Sequence, residues 1–207
     1  MTEEEARTWL GSTLNVSRET LDKLDAFATL VSTAQQSQNL VSASTLASFW
    51  TRHIVDSAQL SLFASEGVWL DIGSGAGLPG IVTAILTGCP TLLVEPRARR
   101  AAFLQDAVDR LALINVKVHA CKLQNLTPQP VDIITARALT ALPALIEMAI
   151  PFARKGTIWL LPKGKSAHVE LASLPSTWQG NWEVRSSVTD PDSQILIGRH
   201  VRVDKKR

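Results

Sequence analysis

The stretch DIGSGAGLPG at positions 71–80 contains the strongest structural signal in this chain. It continues the apolar run that begins at Val68, and a helical pattern follows it at 81–87. A strand, a glycine-rich turn and a helix in this order are typical of a nucleotide-binding α/β unit. Glycines let the backbone turn tightly and let a ligand approach where a Cβ atom would clash. The helix adds free N–H groups and a positive dipole end. The sequence therefore predicts a nucleotide site at this turn.

Short β-rich runs and helical patterns alternate from residue 68 to the end of the chain. The predicted strands are 68–72, 91–94, 116–120, 131–136, 157–161, 182–188 and 195–203, and the predicted helices are 81–87, 98–111, 143–152 and 167–174. Alternation predicts a mostly parallel sheet with helices on both faces. Only a turn separates the last two strands, which indicates an antiparallel C-terminal hairpin at one edge. A seven-stranded α/β sheet of this kind is typical of the Rossmann-like class I methyltransferase fold.

The first 60 residues carry helical patterns and no strand pattern. Thr2 and Glu5 form a capping box that opens a first helix, and Ser17 can cap a second. A third pattern begins near Thr45, with apolar residues suited to a buried face at Phe49, Trp50, Ile54 and Leu60. We therefore predict one domain over 1–207, made of an N-terminal helical extension (1–64) and a Rossmann-like cofactor-binding core (65–207).

Composition excludes several classes of protein. The 207 residues are 45% apolar, with 21 basic and 19 acidic side chains, as in an ordinary globular domain. The sequence contains no uninterrupted apolar stretch of 18 residues, which argues against a membrane span. The acidic start of the chain does not resemble a secretory signal. The two cysteines, Cys89 and Cys121, have no metal-ligand spacing. We expect a cytoplasmic monomer with no membrane partner and no metal.

A basic cluster ends the chain. Positions 198–207 hold five basic side chains and one acidic residue, Asp204; the basic ones are Arg199, Arg202, Lys205, Lys206 and Arg207. Such a cluster is compatible with an anionic partner, and equally with a solvated tail that keeps the protein in solution. Charge alone does not distinguish these two interpretations.

Two cofactors fit the glycine-rich turn. Gly75, Gly77 and Gly80 match GxGxxG, and Glu95 closes the next strand, where a carboxylate can accept hydrogen bonds from both ribose hydroxyls. This pattern also permits NAD, so an oxidoreductase remains an alternative. Asp71 at the end of the first strand can meet the methionine end of S-adenosylmethionine, directly or through water. This acid and the C-terminal strand pair favour S-adenosylmethionine.

Two motifs that the chain lacks reduce the number of possible methyl acceptors. Many enzymes that methylate exocyclic amines of bases place a Pro-Pro-aromatic motif after the fourth strand, whereas this chain reads Thr-Ala-Arg-Ala at 135–138. Methylation of carbon 5 in pyrimidines needs a cysteine nucleophile, and neither Cys89 nor Cys121 lies near that position. Guanine N7 has its own lone pair and no proton to remove, so it fits a site without an evident base.

Several segments, in order, resemble the bacterial small-subunit ribosomal RNA methyltransferase G family, also called glucose-inhibited division protein B. The matching segments are NLVS at 39–42, RHIVDS at 52–57, the turn at 71–80, EPRARR at 95–100 with Phe103-Leu104, and ARA at 136–138. The resemblance implies a single Rossmann-like domain with added N-terminal helices. It also implies methylation of guanine N7 at position 527 of 16S rRNA, so 16S rRNA or the 30S ribosomal subunit is the expected partner.

The resemblance also assigns site residues. It places cofactor contacts at Gly73, Leu78, the pair Leu123-Gln124 and Arg137, with Gln124 where an acid is expected. Together with the residues discussed above, the predicted cofactor-binding set is Asp71, Gly73, Gly75, Gly77, Leu78, Glu95, Leu123, Gln124 and Arg137. Arg137 is the candidate catalytic residue, able to hold the cofactor carboxylate or an RNA phosphate, or else a surface arginine at a strand end.

Basic and helical side chains supply candidates for contact with RNA. The predicted RNA-binding residues are Arg52, His53, Arg97, Arg100, Lys163 and Lys165. His53 and Asp56 lie three apart on the third helical pattern, so a structural pairing between helix and cofactor loop is favoured over RNA contact. Two further alternatives stay open, namely methylation of another acceptor and a non-catalytic RNA-binding assembly factor.

Overall fold

The computed structural model describes residues 1–203, and its centre is one seven-stranded sheet. The strands lie in the order β3-β2-β1-β4-β5-β7-β6. Their bounds are β1 Trp69–Ile72, β2 Thr91–Val94, β3 Val116–His119, β4 Val131–Ala136, β5 Ala153–Lys163, β6 Trp178–Ser186 and β7 Gln194–Val203. The pairs among β1 to β5 are parallel, and β7 runs antiparallel to both β5 and β6. The predicted mixed sheet with a C-terminal hairpin is confirmed.

Two strands begin earlier than the sequence predicts. We expected β5 to begin at residue 157 and β6 at residue 182, but they begin at Ala153 and Trp178. Polar residues occupy both added segments, so neither shows a strand pattern. Pairing with a neighbouring strand makes these segments part of the sheet, because Ala153 pairs with Val131 and Trp178 pairs with Val203.

Helices cover both faces of the sheet. They are α1 Glu3–Leu14, α2 Arg18–Gln35, α3 Asp56–Ala58, α4 Gly80–Thr87, α5 Ala98–Arg110, α6 Leu142–Ala149 and α7 Ala167–Ala172. Alternation along β2 shows why two layers form: Leu93 packs into the core cluster that holds α2, α4 and α5, whereas Leu92 and Val94 pack with α6 on the opposite face. No helix in the described part of the chain is long and apolar enough to cross a membrane.

The predicted N-terminal caps are present. Thr2 and Glu5 form the reciprocal capping box of α1, and the Ser17 side chain accepts a hydrogen bond from the Thr20 N–H at the start of α2. In α2, Phe27 is fully buried in the same core cluster as residues of α4 and α5. This contact attaches the N-terminal helices to the sheet layer. The division between residues 64 and 65 stays a prediction.

From its spacing we expected the third helical pattern to form one regular helix, but it does not. A 3-10 helix (Ala43–Ser48), a π-helix (Trp50–Val55), α3 and a second 3-10 helix (Gln59–Leu62) follow one another. A carboxylate from α1 stabilises this change of pitch: Glu3 accepts hydrogen bonds from the N–H groups of Trp50 and Thr51 at 2.9 and 3.0 Å. Trp50 is buried beneath the Arg7 guanidinium, in agreement with the buried face that its spacing predicts.

Candidate active site

The glycine-rich turn lies at the carboxyl ends of β1 and β2. Gly75 has a φ of +56° and donates its N–H to a Glu95 carboxylate oxygen at 2.9 Å. Gly77 has a φ of +85°, and a Cβ there would lie 2.6 Å from the Ile81 side chain. Left-handed backbone of this kind favours glycine. The turn therefore depends on its glycines for both backbone conformation and close packing.

Asp71 anchors this turn from beneath. Its carboxylate is 1% exposed and accepts hydrogen bonds from the Thr135 hydroxyl at 2.9 Å and the Gly80 N–H at 3.2 Å. Burial raises the pKa of Asp71 to about 6, against the lowering effect of these hydrogen bonds. We expected Asp71 to meet the methionine end of the cofactor. That contact stays a prediction, while the observed bonds join β1, β4 and the start of α4. No pattern in the sequence pointed to Thr135.

Glu95 links the turn to the helix that follows β2. One oxygen accepts the Gly75 N–H, and the other accepts the backbone N–H and the Nε–H of Arg97 at 2.9 and 2.8 Å. Burial raises the pKa of Glu95, but these hydrogen bonds lower it by more, so the net pKa is lowered. The carboxylate is fully covered, and the expected ribose contact stays a prediction that requires the exposed Arg97 side chain to move aside.

A cavity of about 160 Å³ opens beside this turn. Its walls include the apolar side chains of Ile72, Val94 and Leu123, and the exposed residue Gln124 also lines it. Leu123 and Gln124 also line an adjoining cavity of about 750 Å³. A flat purine fits between such apolar walls, and an amide can hydrogen-bond its edge. These residues fit the adenosine end of S-adenosylmethionine.

Leu78 has a different environment from the other predicted cofactor contacts. Its side chain is 4% exposed and packs in the core cluster with α4 and α5. Gly73, by contrast, lines the 160 Å³ cavity directly, with a φ of +70°. The cofactor contact predicted for Leu78 stays a prediction, and its side chain has a packing role.

Arg137 follows β4 immediately and lies half-buried at the carboxyl edge of the sheet. Its guanidinium donates to His53 Nδ1 at 3.2 Å and lies 3.6 Å from an Asp56 carboxylate oxygen. Burial lowers the pKa of Arg137, and the charge of Asp56 opposes this. Arg137 is therefore not a plain surface arginine. The pairing that we expected between the helix and the cofactor loop stays a prediction, since the observed contacts of His53 and Asp56 on this side are with Arg137, which follows β4.

The His53 ring has one defined tautomer. A guanidinium can only donate, so Nδ1 accepts from Arg137 and the proton lies on Nε2, which donates to the Thr45 hydroxyl at 2.8 Å. Burial lowers the pKa of His53 to about 3, and the charges of Arg137 and Arg52 contribute. His53 is 7% exposed, and both of its ring nitrogens have partners. The structure therefore gives it a positioning role toward Arg137, and the predicted RNA contact stays untested.

Acid should weaken the fold through His53. Its pKa is about 3 in the fold and about 6.5 in an unfolded chain, so its contribution is present above pH 6.5 and lost as the pH falls toward 3. Relative to His53→Gln, the wild-type free energy of unfolding should fall over this window, with a slope approaching about 1.4 kcal/mol per pH unit. Urea denaturation of both proteins at several pH values measures the difference. Parallel profiles would contradict the assigned neutral state.

Asp56 connects Arg137 to the loop between β6 and β7. One Asp56 oxygen accepts from Gln59 Nε2 at 3.1 Å and from the hydroxyls of Ser187 and Thr189, both at 3.3 Å. The Asp56 carboxylate that faces Arg137 is therefore held from three directions. Its partners on the β6–β7 loop lie more than 130 positions further along the chain, and sequence reasoning missed them.

Each predicted RNA-binding side chain already has a partner within the protein. These partners are Asp190 for Arg52, Glu95 for Arg97, the Asn39 carbonyl for Arg100, Glu170 for Lys163 and Asp192 for Lys165. The two arginines of α5 and its N-cap lie near the turn, whereas Lys163 is the last residue of β5 and Lys165 follows it at the same edge of the sheet. RNA contact stays a prediction for all of them. Of the basic C-terminal cluster, residues 204–207 lie outside the described residues.

A further cavity of about 640 Å³ adjoins Arg137. Its lining includes Asp56, Arg137, Leu139, Pro162, Lys163 and Glu170. Leu139 also lines both cavities beside the turn, so this residue stands where the three spaces meet. The carboxyl edge of the sheet thus holds the cavities beside the turn next to a further one that contains charged side chains, as expected for a crevice at strand ends.

Comparison of the sequence with known proteins identifies a family. The chain matches, over residues 20–196, the family model GidB, described as rRNA small subunit methyltransferase G. A ribosomal RNA small subunit methyltransferase G from Zymomonas mobilis subsp. mobilis is 43% identical, with 100% of this chain and 98% of that protein covered. One from Jannaschia sp. is 44% identical, with 99% of each chain covered.

Solved structures agree in fold. An O-methyltransferase from Bacillus cereus in complex with SAH superposes with a TM-score of 0.63 at 17% identity, over 93% of this chain and 96% of that one. A SAM dependent methyltransferase from Aquifex aeolicus gives a TM-score of 0.59 at 14% identity, over 83% and 97%. These likenesses concern the fold alone and confirm the Rossmann-like class I prediction. The family-model match and the sequence matches over nearly the whole chain show that the chain belongs to the GidB family of rRNA small subunit methyltransferases G.

Proposed function

We propose that the protein methylates N7 of a guanine in 16S rRNA, at the nucleotide equivalent to position 527, with the 30S subunit as its partner. Family membership and fold make it an S-adenosylmethionine-dependent rRNA methyltransferase. The finer assignment to one atom of one base goes beyond them. It is supported by the chemistry of the side chains around Arg137.

The cavities beside the turn suit the cofactor. S-adenosylmethionine, when bound, supplies a methyl group on a sulfonium that a lone pair can displace. Gly73 lines the 160 Å³ cavity, the apolar walls around Leu123 exclude water from a purine, and Gln124 offers an amide to its edge. Arg137 can hold a carboxylate with its guanidinium at the adjoining strand end. The main contribution of these residues is alignment.

One observation carries the N7 assignment. Within residues 1–203, every titratable side chain that lines the 640 Å³ cavity already has a hydrogen-bond or ion-pair partner in the protein. Asp56 accepts three side-chain hydrogen bonds besides facing Arg137. For Glu170, burial raises the pKa, but hydrogen bonds from Lys163 and Ser166 lower it by more. A carboxylate with a lowered pKa is a weak general base. Guanine N7 needs no proton removed before it attacks, whereas an exocyclic amine or N1 does.

The target base must leave its surroundings to reach this crevice. In an A-form helix the edge of guanine that carries N7 lies in a deep, narrow groove that side chains cannot enter. Enzymes that act on bases take the target out of the stack into a pocket. We therefore expect the target guanine in a loop or an irregular segment of the RNA.

Labelling tests this proposal. The protein is incubated with methyl-labelled S-adenosylmethionine and with 16S rRNA that lacks the modification, both free and as 30S subunits, and the labelled base is mapped. Label at one guanine N7 is the expected result, and the preferred form of RNA identifies the substrate. Label on another atom or another molecule would overturn the assignment to N7, and absence of label despite cofactor binding would indicate a binding role.

A further inference from the structure

We infer that the 640 Å³ cavity beside Arg137 is the pocket for the target guanine, and that the Lys163–Glu170 pair recognises its Watson–Crick edge. This inference rests on the proposed function and adds the residues that select guanine over other bases.

The pair has defined geometry inside the cavity. Lys163 ends β5, Glu170 lies on α7, and the Lys163 ammonium nitrogen is 2.7 Å from Glu170 Oε2. The side chains are 10% and 21% exposed, so neither behaves as a freely solvated surface charge. The Ser166 hydroxyl donates to Glu170 Oε1 at 2.9 Å and fixes the direction of the carboxylate. A cationic donor thus lies beside a carboxylate that accepts hydrogen bonds from Lys163, Ser166 and the Leu142 backbone. Each carboxylate oxygen can accept more than one hydrogen bond, so a base can add to these partners.

This arrangement matches one base. The Watson–Crick edge of guanine presents the acceptor O6 next to two donors, the N1–H and the N2 amino group. Lys163 can donate to O6 while Glu170 accepts from N1 and N2. Adenine presents a donor amino group next to an acceptor nitrogen, so it would face Lys163 and Glu170 with both polarities reversed. The charges that make the pair a salt bridge therefore also make it selective for guanine.

The walls of the cavity suit the faces of a flat ring. Leu139 is a large apolar residue that is 39% exposed, and Pro162 is a buried residue near the end of β5. Both line the same cavity as the Lys163–Glu170 pair. Proteins that bind extruded bases combine apolar contact on the ring faces with hydrogen bonds to the Watson–Crick edge. The cavity offers both kinds of contact.

The position of Leu139 connects this pocket to the cofactor turn. A Cβ atom on Gly73 would lie 2.7 Å from Leu139 Cδ1, so Leu139 packs directly against the turn. In guanine, N7 lies on the imidazole side of the ring, away from N1 and N2. Holding the Watson–Crick edge at Glu170 therefore leaves N7 free to face the crevice that the turn and Arg137 share.

Inosine provides a test that needs no altered protein. It lacks only the N2 amino group of guanine, so a 30S subunit reconstituted with inosine at the target position removes one donor to Glu170. Loss of a hydrogen bond to a charged group corresponds to about a 10- to 100-fold effect. We expect wild-type kcat/KM to fall by this factor on inosine. Equal rates on guanine and inosine would overturn the inference.

The variant Glu170→Gln separates recognition from packing. Glutamine offers one acceptor and one donor, so it can satisfy N1–H but not N1–H and N2 together. We expect kcat/KM on guanine to fall about 10- to 100-fold and the preference for guanine over inosine to disappear. A role that only joins α7 to β5 would lower both rates equally and keep the preference, which would overturn the inference.

Two controls separate this inference from the proposed function. Glu183→Gln makes the same chemical change on β6, where Glu183 pairs with Arg185, and should leave both rates unchanged. Cofactor affinity of Glu170→Gln, measured by calorimetry, should equal that of the wild type. If wild-type protein labels no guanine N7, the proposed function fails. If it labels guanine N7 but ignores the inosine change, only the pocket assignment fails.

Discussion

Arg137→Ala is expected to lower methyl transfer by at least about 100-fold, the loss typical for removal of one preorganised donor from an active site. The guanidinium is 22% exposed and is held by His53 and Asp56, so its charge acts in a partly desolvated crevice. No other arginine or lysine within residues 1–203 lines the 640 Å³ cavity except Lys163. Removal of the Arg137 guanidinium leaves the crevice without a fixed bidentate donor.

The fold should survive this change. Asp56 keeps its hydrogen bonds from Gln59, Ser187 and Thr189, so it does not become an unpaired buried charge. We expect only a small fall in melting temperature. Arg110→Ala is the matched control, since Arg110 is 64% exposed on α5 and its one ion-pair partner among residues 1–203 is Asp106. It should leave transfer unchanged.

Cofactor affinity identifies what Arg137 holds. If Arg137 binds the cofactor carboxylate, Arg137→Ala should weaken S-adenosylmethionine binding and lower kcat/KM together. If it contacts the RNA, calorimetry should show unchanged cofactor affinity while transfer is lost. Arg137→Lys keeps the charge but not the two-pronged geometry, and we expect it to restore only part of the activity. Transfer within threefold of wild type in Arg137→Ala would contradict the assignment.

Gly75→Val is expected to abolish detectable cofactor binding, and methyl transfer with it. The φ of +56° at Gly75 disfavours any L side chain and is worst for a β-branched one. A shift of this residue would also break the hydrogen bond from its N–H to Glu95. Both effects disturb the turn at the position where a ligand must approach the backbone. Calorimetric titration with S-adenosylmethionine measures the loss directly.

Gly88→Val provides the same backbone strain away from the site. Gly88 ends α4 with a φ of +66°, and a Cβ atom there would have no neighbour within 4 Å. We expect a loss of stability of the order of 1–2 kcal/mol and normal cofactor affinity. Gly75→Val with normal affinity, or Gly88→Val with lost affinity, would show that the turn does not form the cofactor site.

Local patterns predicted most of the elements. The run from Val68, the glycine-rich turn and the helix after it are neighbours in sequence, and their apolar spacing and glycines report directly on backbone conformation. β4 was predicted at its observed bounds because five of its six residues are buried and four of them are apolar. The third helical segment was not, since Glu3 of another helix stabilises its change of pitch.

The site was predicted less completely than the fold. Motifs indicated Glu95 and the glycines, and the family resemblance indicated Arg137. Each of these residues lies at a strand end or in a turn that the sequence locates. They gave no sign that Arg97 would cover Glu95, or that Lys163 would turn inward to Glu170 rather than toward RNA phosphates. The charge of Arg97 or Lys163 and its position in the chain are the same whether the side chain faces a protein carboxylate or an RNA phosphate, so the sequence does not distinguish the two.

Sequence alone was sufficient for the order of strands and helices, the turn with its glycines, and the family. Each of these depends on residues that are adjacent or regularly spaced. Folding in three dimensions set the partners of the charged groups, because β4 lies beside β1 in the sheet and the N-terminal segment packs over the strand ends. Asp71 meets Thr135 across 64 positions, and Arg137 meets His53 across 84. Periodicity within one element carries no information about such contacts, so the chemistry of the crevice follows from how the elements pack.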